Sequence, residues 1–186
     1  MKLHVTSAQK VDFEHLRQSL GAAKSDKELF STIVNAPFKF KVDQALIFLG
    51  IIVLLLVNKK TKTIDRIAIS ENDLAAQTKL RSAKRFEDIK IPLGHPTNIL
   101  AQALETGKPK GTSDWQYLFV PELSAQDSRF NQIEGGIGYS AVYPMPAARE
   151  GAALIFSYYQ YPEKIGKPQR EFMRNYSTLV AEYLNR

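Results

Sequence analysis

The chain is 186 residues long, with 25 lysines and arginines against 19 aspartates and glutamates, a net charge of +6, and no cysteine. This length fits one domain with added terminal helices, which can bury enough apolar surface to fold without a metal or a disulfide. The missing cysteines exclude disulfides, thiolate metal sites, cysteine nucleophiles and thiol redox chemistry.

The first residues do not have the pattern of a secretion signal. Residues 1–6, Met-Lys-Leu-His-Val-Thr, contain no apolar run and lead into a polar segment. Since the chain also has no cysteine, a reducing compartment is favoured, and we expect the protein in the cytoplasm. The positive net charge makes polyanions candidate partners, although many basic surfaces bind none.

Two helices are predicted before residue 40. Phe13, Leu16 and Leu20 lie at i, i+3 and i+7, the spacing of one helix face. Ser25 and Glu28 form a capping-box pattern, which predicts the start of a second helix. We therefore divide the chain into an N-terminal helical extension, residues 1–24, and one domain over residues 25–186.

An uncharged apolar run occupies residues 45–57. It is too short to cross a membrane, which takes about 20 residues, and Gly50 interrupts it. We predict the end of a helix that starts near Asp43, followed by a buried strand over residues 51–57. The β-branched run at residues 63–70 then completes a β-hairpin.

Two more helices are predicted after the hairpin. The first starts at residues 71–73 and continues over residues 74–86, with Leu80 and Ala83 facing inward. The second begins near residue 97, and Gly107 ends it in a left-handed cap.

The sequence pattern in the last part of the chain predicts two strands and a helix. Glycine turns introduce the strands, residues 139–146 and 151–159. The final helix opens at Pro168 and has an apolar stripe along one face. The stripe consists of Phe172, Tyr176, Leu179, Val180 and Tyr183.

Four segments, in this order and spacing, resemble the GAF domain family. They are Leu-Glu-Thr-Gly-Lys-Pro at residues 104–109, the loop at 124–130, the strand Gly-Ile-Gly-Tyr-Ser-Ala-Val-Tyr-Pro-Met at 136–145, and the strand at 151–158. The resemblance implies an α+β fold in which a central antiparallel β-sheet is flanked by helices on both faces. It also implies a ligand-sensing or dimerising role in signalling.

The resemblance also implies that the segment at residues 114–119, the loop at 124–130 and the strand at 136–145 wall a cavity, which in GAF-like folds lies between one sheet face and a covering helix and loop. The resemblance therefore makes a set of mostly aromatic residues candidates for ligand binding, since pockets are usually apolar with few polar groups. The set is Asp114, Trp115, Tyr117, Phe119, Asp127, Phe130 and Tyr139. The alternative is that these rings fill a closed core, and strand alternation does not say which face of the Tyr139 strand lines the cavity.

No catalytic or metal site is predicted. The three histidines are not at metal-ligand spacing, and the glycines at residues 135–138 have no following helix or lysine to hold a phosphate. No Ser, His and Asp set is suggested by spacing. The bilin-binding and methionine-sulfoxide-reducing members of the resembled family depend on cysteine. We therefore expect that the chain is not an enzyme, and no cofactor is identified.

Basic residues in and near the helix predicted over residues 74–86 allow an alternative function. Lys79, Arg81, Lys84 and Arg85 could bind a phosphate-bearing ligand or a nucleic acid. A solvated basic face is the competing interpretation, because no nucleic-acid-binding motif accompanies these residues.

The main functional hypothesis is a sensory or regulatory module that binds a small ligand or a protein partner. It would pass the signal through its terminal helices, which we expect to form the dimer interface because each carries an apolar stripe. We expect a homodimer. Since no kinase, cyclase or DNA-binding unit fits in these residues, the effector would be a separate protein or another part of a longer chain.

Overall fold

The structure, a computed structural model, describes residues 11–40 and 43–186. The predictions for residues 1–6, and for the first ten residues of the N-terminal extension, lie outside the described residues. The strands are β1 (Leu49–Asn58), β2 (Thr63–Ile69), β3 (Lys90–Pro92), β4 (Lys110–Thr112), β5 (Tyr139–Met145) and β6 (Ala152–Tyr158). The helices are α1 (Phe13–Gly21), α2 (Asp26–Asn35), α3 (Asp73–Arg81), α4 (Ile99–Thr106), α5 (Gln116–Phe119), α6 (Ala125–Glu134) and α7 (Lys167–Leu184).

The strands form one six-stranded sheet in the order β3-β2-β1-β6-β5-β4. Every neighbouring pair is antiparallel, and helices pack on both faces. The predicted α+β class, with a central antiparallel sheet between helical layers, is therefore confirmed. The predicted hairpin is confirmed as well, since β1 pairs with β2.

One face of the sheet packs against α1, α2 and α7. Its centre is an aromatic cluster in which Phe156 of β6 contacts Phe172 of α7 at a ring separation of 6.0 Å. The predicted stripe of α7 is buried in this layer. The Tyr176 hydroxyl donates a 2.7 Å hydrogen bond to the Ile33 carbonyl of α2. The stripe of α7 is thus covered by the protein's own sheet and helices, and does not provide a free surface for a second subunit.

The other face of the sheet packs against α3, α4, α5 and α6. Ile51, Val53 and Leu55 of β1 point to this side, with Ile155 of β6 beside them. Gly107 follows α4 at a φ of 65°, the left-handed cap that the sequence predicts. This layer contains the candidate site.

Two local predictions are wrong. Residues 43–48 form turns where the end of a helix was expected, and β1 begins at Leu49. In addition, Leu80 lies within α3 but is 86% exposed, and Ala83 is exposed beyond the helix, which ends at Arg81. Ala75 is the residue of α3 that is fully buried. Because Leu80 is five positions further along, the helical turn of about 100° per residue carries it well away from that face.

Among the described residues, no helix is both long enough and apolar enough to cross a membrane.

Candidate ligand-binding site

A cavity of about 40 Å³ lies between the sheet and the layer formed by α3, α5 and α6. This volume has room for a few water-sized groups, so a larger ligand requires its walls to move. Most of the wall is apolar or aromatic. The lining residues are Ile51, Val53, Arg66, Ile69, Thr78, Lys79, Ser82, Phe86, Ile89, Trp115, Leu118, Phe119, Asn131, Ile155 and Ser157.

Trp115 is held against the sheet by a chain of hydrogen bonds. Its indole Nε1 donates to the Ser140 hydroxyl at 2.8 Å, and the hydroxyls of Ser140 and Ser157 are 2.7 Å apart. The two serines face each other across β5 and β6, and all three residues are buried. The ring of Trp115 lies 5.5 Å from that of Phe119. The cavity therefore has one wall whose position is fixed by paired polar groups.

The loop that carries Trp115 is anchored by Gln132 of α6. The Gln132 side chain accepts a hydrogen bond from the Trp115 backbone at 2.8 Å and donates to the carbonyls of Ser113 and Ile137. A single buried amide thus joins α6 to the loop before α5 and to the turn before β5. Its many backbone contacts were not predictable from the sequence.

Arg66 of β2 is the least expected residue of the site. It is only 7% exposed, and the carbon of its guanidinium lies 4.5 Å from the ring centre of Phe119 and 5.8 Å from that of Phe86. Its Nε and Nη2 are buried and have no hydrogen-bond partner among the described residues. Burial lowers the pKa of Arg66 to about 10. An unpaired buried cation is costly, because hydration is lost without compensation.

A bulge in the hairpin places Arg66 on the cavity face. Leu54 pairs with Ala68 and Leu55 with Arg66, so Ile67 is left without a partner. The extra residue lets both Arg66 and Ile69 point toward the cavity. Strict alternation from Ile69 would place Arg66 on the opposite face. The only sequence signal was the arginine itself, two positions after the buried Ile64.

The charged groups that line the cavity are both positive. Arg66 lies inside it and the exposed Lys79 lies at its edge, whereas the lining contains no aspartate or glutamate. The Ser82 hydroxyl is buried and, like two of the Arg66 nitrogens, has no hydrogen-bond partner within the described parts of the chain. The cavity therefore combines apolar walls with unused hydrogen-bond donors and positive charge.

Of the residues predicted to bind a ligand, the structure brings Trp115 and Phe119 into the cavity. Tyr117 and Phe130 are 41% and 51% exposed and are not among the lining residues. Asp127 lies in the first turn of α6, where its backbone N–H donates to Oγ of the capping residue Ser124 at 3.0 Å and its carboxylate accepts from the same hydroxyl. Asp114 lies on a separate surface groove with Arg129.

Tyr139 lies on the opposite face of the sheet. It packs with the layer of α1, α2 and α7, whereas the next residue, Ser140, faces Trp115. A ligand in the cavity could contact Ser140, but the sheet separates it from the Tyr139 ring. The contribution of each predicted residue to binding stays a prediction.

The basic residues of the alternative hypothesis are largely paired with carboxylates. Arg81 forms an ion pair with Glu134. Lys84 pairs with Glu122 at 2.7 Å, and Arg85 with Asp88 at 2.8 Å. These pairs weaken the positive field that a nucleic-acid backbone would meet. Within the described residues, no group of three or more His, Asp and Glu side chains is arranged to hold a metal.

Asp114 supports the position of Trp115, and its replacement should make stability less dependent on pH. Partial burial raises the pKa of Asp114, but hydrogen bonds from Arg129 and the Gln116 backbone outweigh it and lower that pKa below its usual value. The carboxylate therefore stabilises the fold above about pH 4, and this contribution is lost as the pH falls through the lowered pKa.

We expect Asp114→Asn to reduce the free energy of unfolding by about 1 kcal/mol or less at pH 7, since Arg129 is half exposed. The difference should vanish near pH 2 in urea titrations that compare the two proteins. A difference that stays constant from pH 7 to pH 2 would show that ionisation of Asp114 does not stabilise the loop.

Comparison with known proteins identifies the fold. No protein-family model matches the sequence, and no curated protein matches it. Solved structures match over most of their length. The GAF domain of an Acinetobacter phosphoenolpyruvate-protein phosphotransferase has a TM-score of 0.60 at 7% identity, over 92% of this chain and 89% of that one. The GAF domain of a sensor histidine kinase from Bacillus halodurans has a TM-score of 0.58 at 14% identity, over 87% and 95%.

A third similar structure is an enzyme. It is the free methionine-R-sulfoxide reductase of Neisseria meningitidis in complex with its substrate, with a TM-score of 0.57 at 9% identity, over 92% of this chain and 84% of that one. The chain therefore has the GAF-like fold that its motifs predict, and identities this low establish the fold alone.

The prediction that the chain is not an enzyme is wrong as an inference from its fold. The same architecture supports catalysis in the Neisseria reductase. Its resemblance to sensory domains therefore does not exclude an activity. The absence of cysteine from this chain excludes only chemistry that needs a cysteine thiol.

Proposed function

We propose that this protein is a sensory or regulatory module that binds a small molecule in the cavity beside Trp115. The observation that carries the proposal is the set of buried polar groups without partners at an otherwise apolar cavity. Such groups lower stability unless something pairs with them. The GAF-like fold supports a sensory role, because two of the similar structures are domains of a phosphotransferase and a sensor histidine kinase.

The proposed signal passes through β6 to α7. Ile155 and Ser157 of β6 line the cavity, whereas Phe156 between them points to the other face and contacts Phe172 of α7. A ligand that displaces β6 would therefore act on both layers. Because β6 is a central strand paired on both sides, a small shift would also move its neighbours.

The partners and location belong to the same proposal. We infer that the protein forms a homodimer or passes its signal to a separate effector protein. Residues 25–186 would be the sensory unit, and residues 1–24 its extension. A cytoplasmic location is supported by the absence of cysteine. Analytical ultracentrifugation tests the dimer, and a monomer at all accessible concentrations would refute it.

The ligand site can be tested through Trp115, the only tryptophan in the chain. The probes are isobutyrate, isobutyramide and isobutylamine, which have similar shapes but are anionic, neutral and cationic. We expect at least one of them to shift the Trp115 indole N–H signal in NMR spectra, and the shift to saturate. No saturable shift with any probe would contradict the proposed site.

A cavity-filling variant shows whether the shift arises in the cavity. Val53→Leu adds a methylene to its wall, and we expect binding to weaken at least tenfold because the remaining space is small. Val34→Leu is the matched control, since Val34 is also buried but packs on the other side of the sheet. Equal binding by the two variants would place the probe outside the cavity.

A further inference from the structure

The unpaired edge of Arg66 indicates what kind of ligand the cavity takes. We propose that it binds a small monocarboxylate whose two oxygens accept hydrogen bonds from Nε and Nη2 of Arg66. This inference rests on the proposed function and specifies the ligand class for the same site.

The two unpartnered nitrogens have the arrangement that a carboxylate needs. Nε and Nη2 of Arg66 are buried and have no hydrogen-bond partner in the described part of the chain, and they form one edge of the guanidinium. The two N–H groups on this edge are nearly parallel, and their spacing matches the two oxygens of a carboxylate in a bidentate pair. The rings of Phe86 and Phe119 lie near the guanidinium, which limits its movement and keeps this edge in place.

The charge of the cavity favours an anion and selects against a cation. Arg66 is inside the cavity and Lys79 at its edge, and none of the lining residues is acidic. The neutral polar residues of the lining can only supplement the pairing between the ligand and Arg66. They are Thr78, Ser82, Asn131 and Ser157. A neutral ligand would leave the guanidinium buried without a counter-charge, and a protonated amine would add repulsion.

A second donor extends the anion site beyond Arg66. The buried Ser82 hydroxyl also lacks a partner among the described residues and lines the same cavity. It follows the C-terminal end of α3. A hydroxyl can donate to a carboxylate oxygen that already accepts from Arg66, since each oxygen has two acceptor positions. The proposed ligand thus pairs both kinds of unused donor at once.

The size and walls of the cavity restrict the rest of the ligand. The cavity volume is about 40 Å³, which suits a carboxylate with a short tail and not a nucleotide. Ile51, Val53 and Ile155 offer an apolar surface for that tail. Short-chain monocarboxylates combine the required charge with the required hydrophobic end.

The test makes two comparisons. Each acid is compared with its amide, and the wild-type protein is compared with two variants of Arg66. Acetate, propionate and isobutyrate are titrated against acetamide, propionamide and isobutyramide at constant ionic strength, with the Trp115 indole signal as the readout. We expect each acid to bind at least tenfold more tightly than its amide. Arg66→Met should remove this preference and weaken isobutyrate at least tenfold. Arg66→Lys should retain part of the affinity, because it keeps the charge but loses the paired edge.

Arg17→Met is the matched control. Arg17 is an exposed arginine of α1 on the other side of the sheet, paired with Glu182. The substitution removes the same charge from the protein, so it accounts for long-range electrostatic effects, and we expect unchanged isobutyrate binding. A loss of binding equal to that of Arg66→Met would overturn the proposal.

Other outcomes separate this inference from the proposed function. If amides and acids bind equally and Arg66→Met retains both, a cavity ligand exists but the carboxylate assignment is wrong. If inorganic phosphate binds through Arg66 more tightly than every acid, the site takes a tetrahedral anion and the assignment is again wrong. If no probe shifts the Trp115 indole signal, or if Val53→Leu leaves binding of every probe unchanged, the proposed function fails as well.

Discussion

Replacement of Phe156 by alanine should lower the free energy of unfolding by about 3–5 kcal/mol, the usual cost of removing a buried aromatic ring. Phe156 is fully buried. Its ring meets Tyr143 at 5.8 Å and Phe172 at 6.0 Å, both nearly edge to face. Phe172 in turn stacks on Tyr176 at 5.5 Å. The cavity left by Phe156→Ala would therefore separate β6 from the aromatic side of α7.

Thermal unfolding followed by circular dichroism checks this prediction, and we expect a fall in Tm on the order of 10 °C. Phe130→Ala is the matched control, because Phe130 is 51% exposed and its loss should change stability by about 0.5 kcal/mol or less. Hydrogen exchange should also become faster in α7 of the Phe156 variant. If the free energy of unfolding of Phe156→Ala is within about 1 kcal/mol of the wild-type value, the contact between β6 and α7 is too weak for the proposed signal.

The parts of the fold that the sequence predicted correctly are those with local causes. The α7 stripe follows from helical periodicity, and Gly107 ends α4 because glycine adopts a positive φ at little cost. Leu80 was misassigned because an apolar residue of the predicted helix was assumed to face the core, whereas the buried face of α3 is that of Ala75, five positions earlier. The helix was also predicted too long, because the extended backbone of Ser82 ends it at Arg81.

The candidate site was harder to predict, because it depends on which face each strand presents. Trp115 and Phe119 line the cavity, as the resemblance implied for the segment that carries them, and their part in binding is still a prediction. Tyr139 and Ser140 are neighbours on opposite faces, and no local pattern distinguishes the two faces when both are covered by helices. Arg66 could not be selected, since the bulge at Ile67 is determined by pairing with β1.

Arg66→Met should make the ligand-free protein more stable, by about 1–2 kcal/mol. The lowering of the Arg66 pKa from its usual value to about 10 corresponds to roughly 3 kcal/mol of lost hydration at ~1.4 kcal/mol for each pH unit. Contact with the Phe119 ring at 4.5 Å returns about 1–2 kcal/mol of this. Methionine has a similar length and needs no hydrogen bond, so it removes the remaining cost.

A residue that lowers stability where it stands is expected at a binding site, because the ligand restores what the empty site lacks. Urea unfolding of wild type and Arg66→Met, each with and without isobutyrate, measures both the effect of the substitution on stability and the stabilisation by the ligand. At one hundred times its Kd, a ligand stabilises the folded state by about 2.7 kcal/mol. A variant that binds tenfold more weakly is stabilised by only about 1.4 kcal/mol at the same concentration. Isobutyrate should therefore remove most of the stability advantage of Arg66→Met. If Arg66→Met is already the less stable protein without ligand, Arg66 stabilises the fold through Phe86 and Phe119, and its unpaired edge is no sign of a binding site.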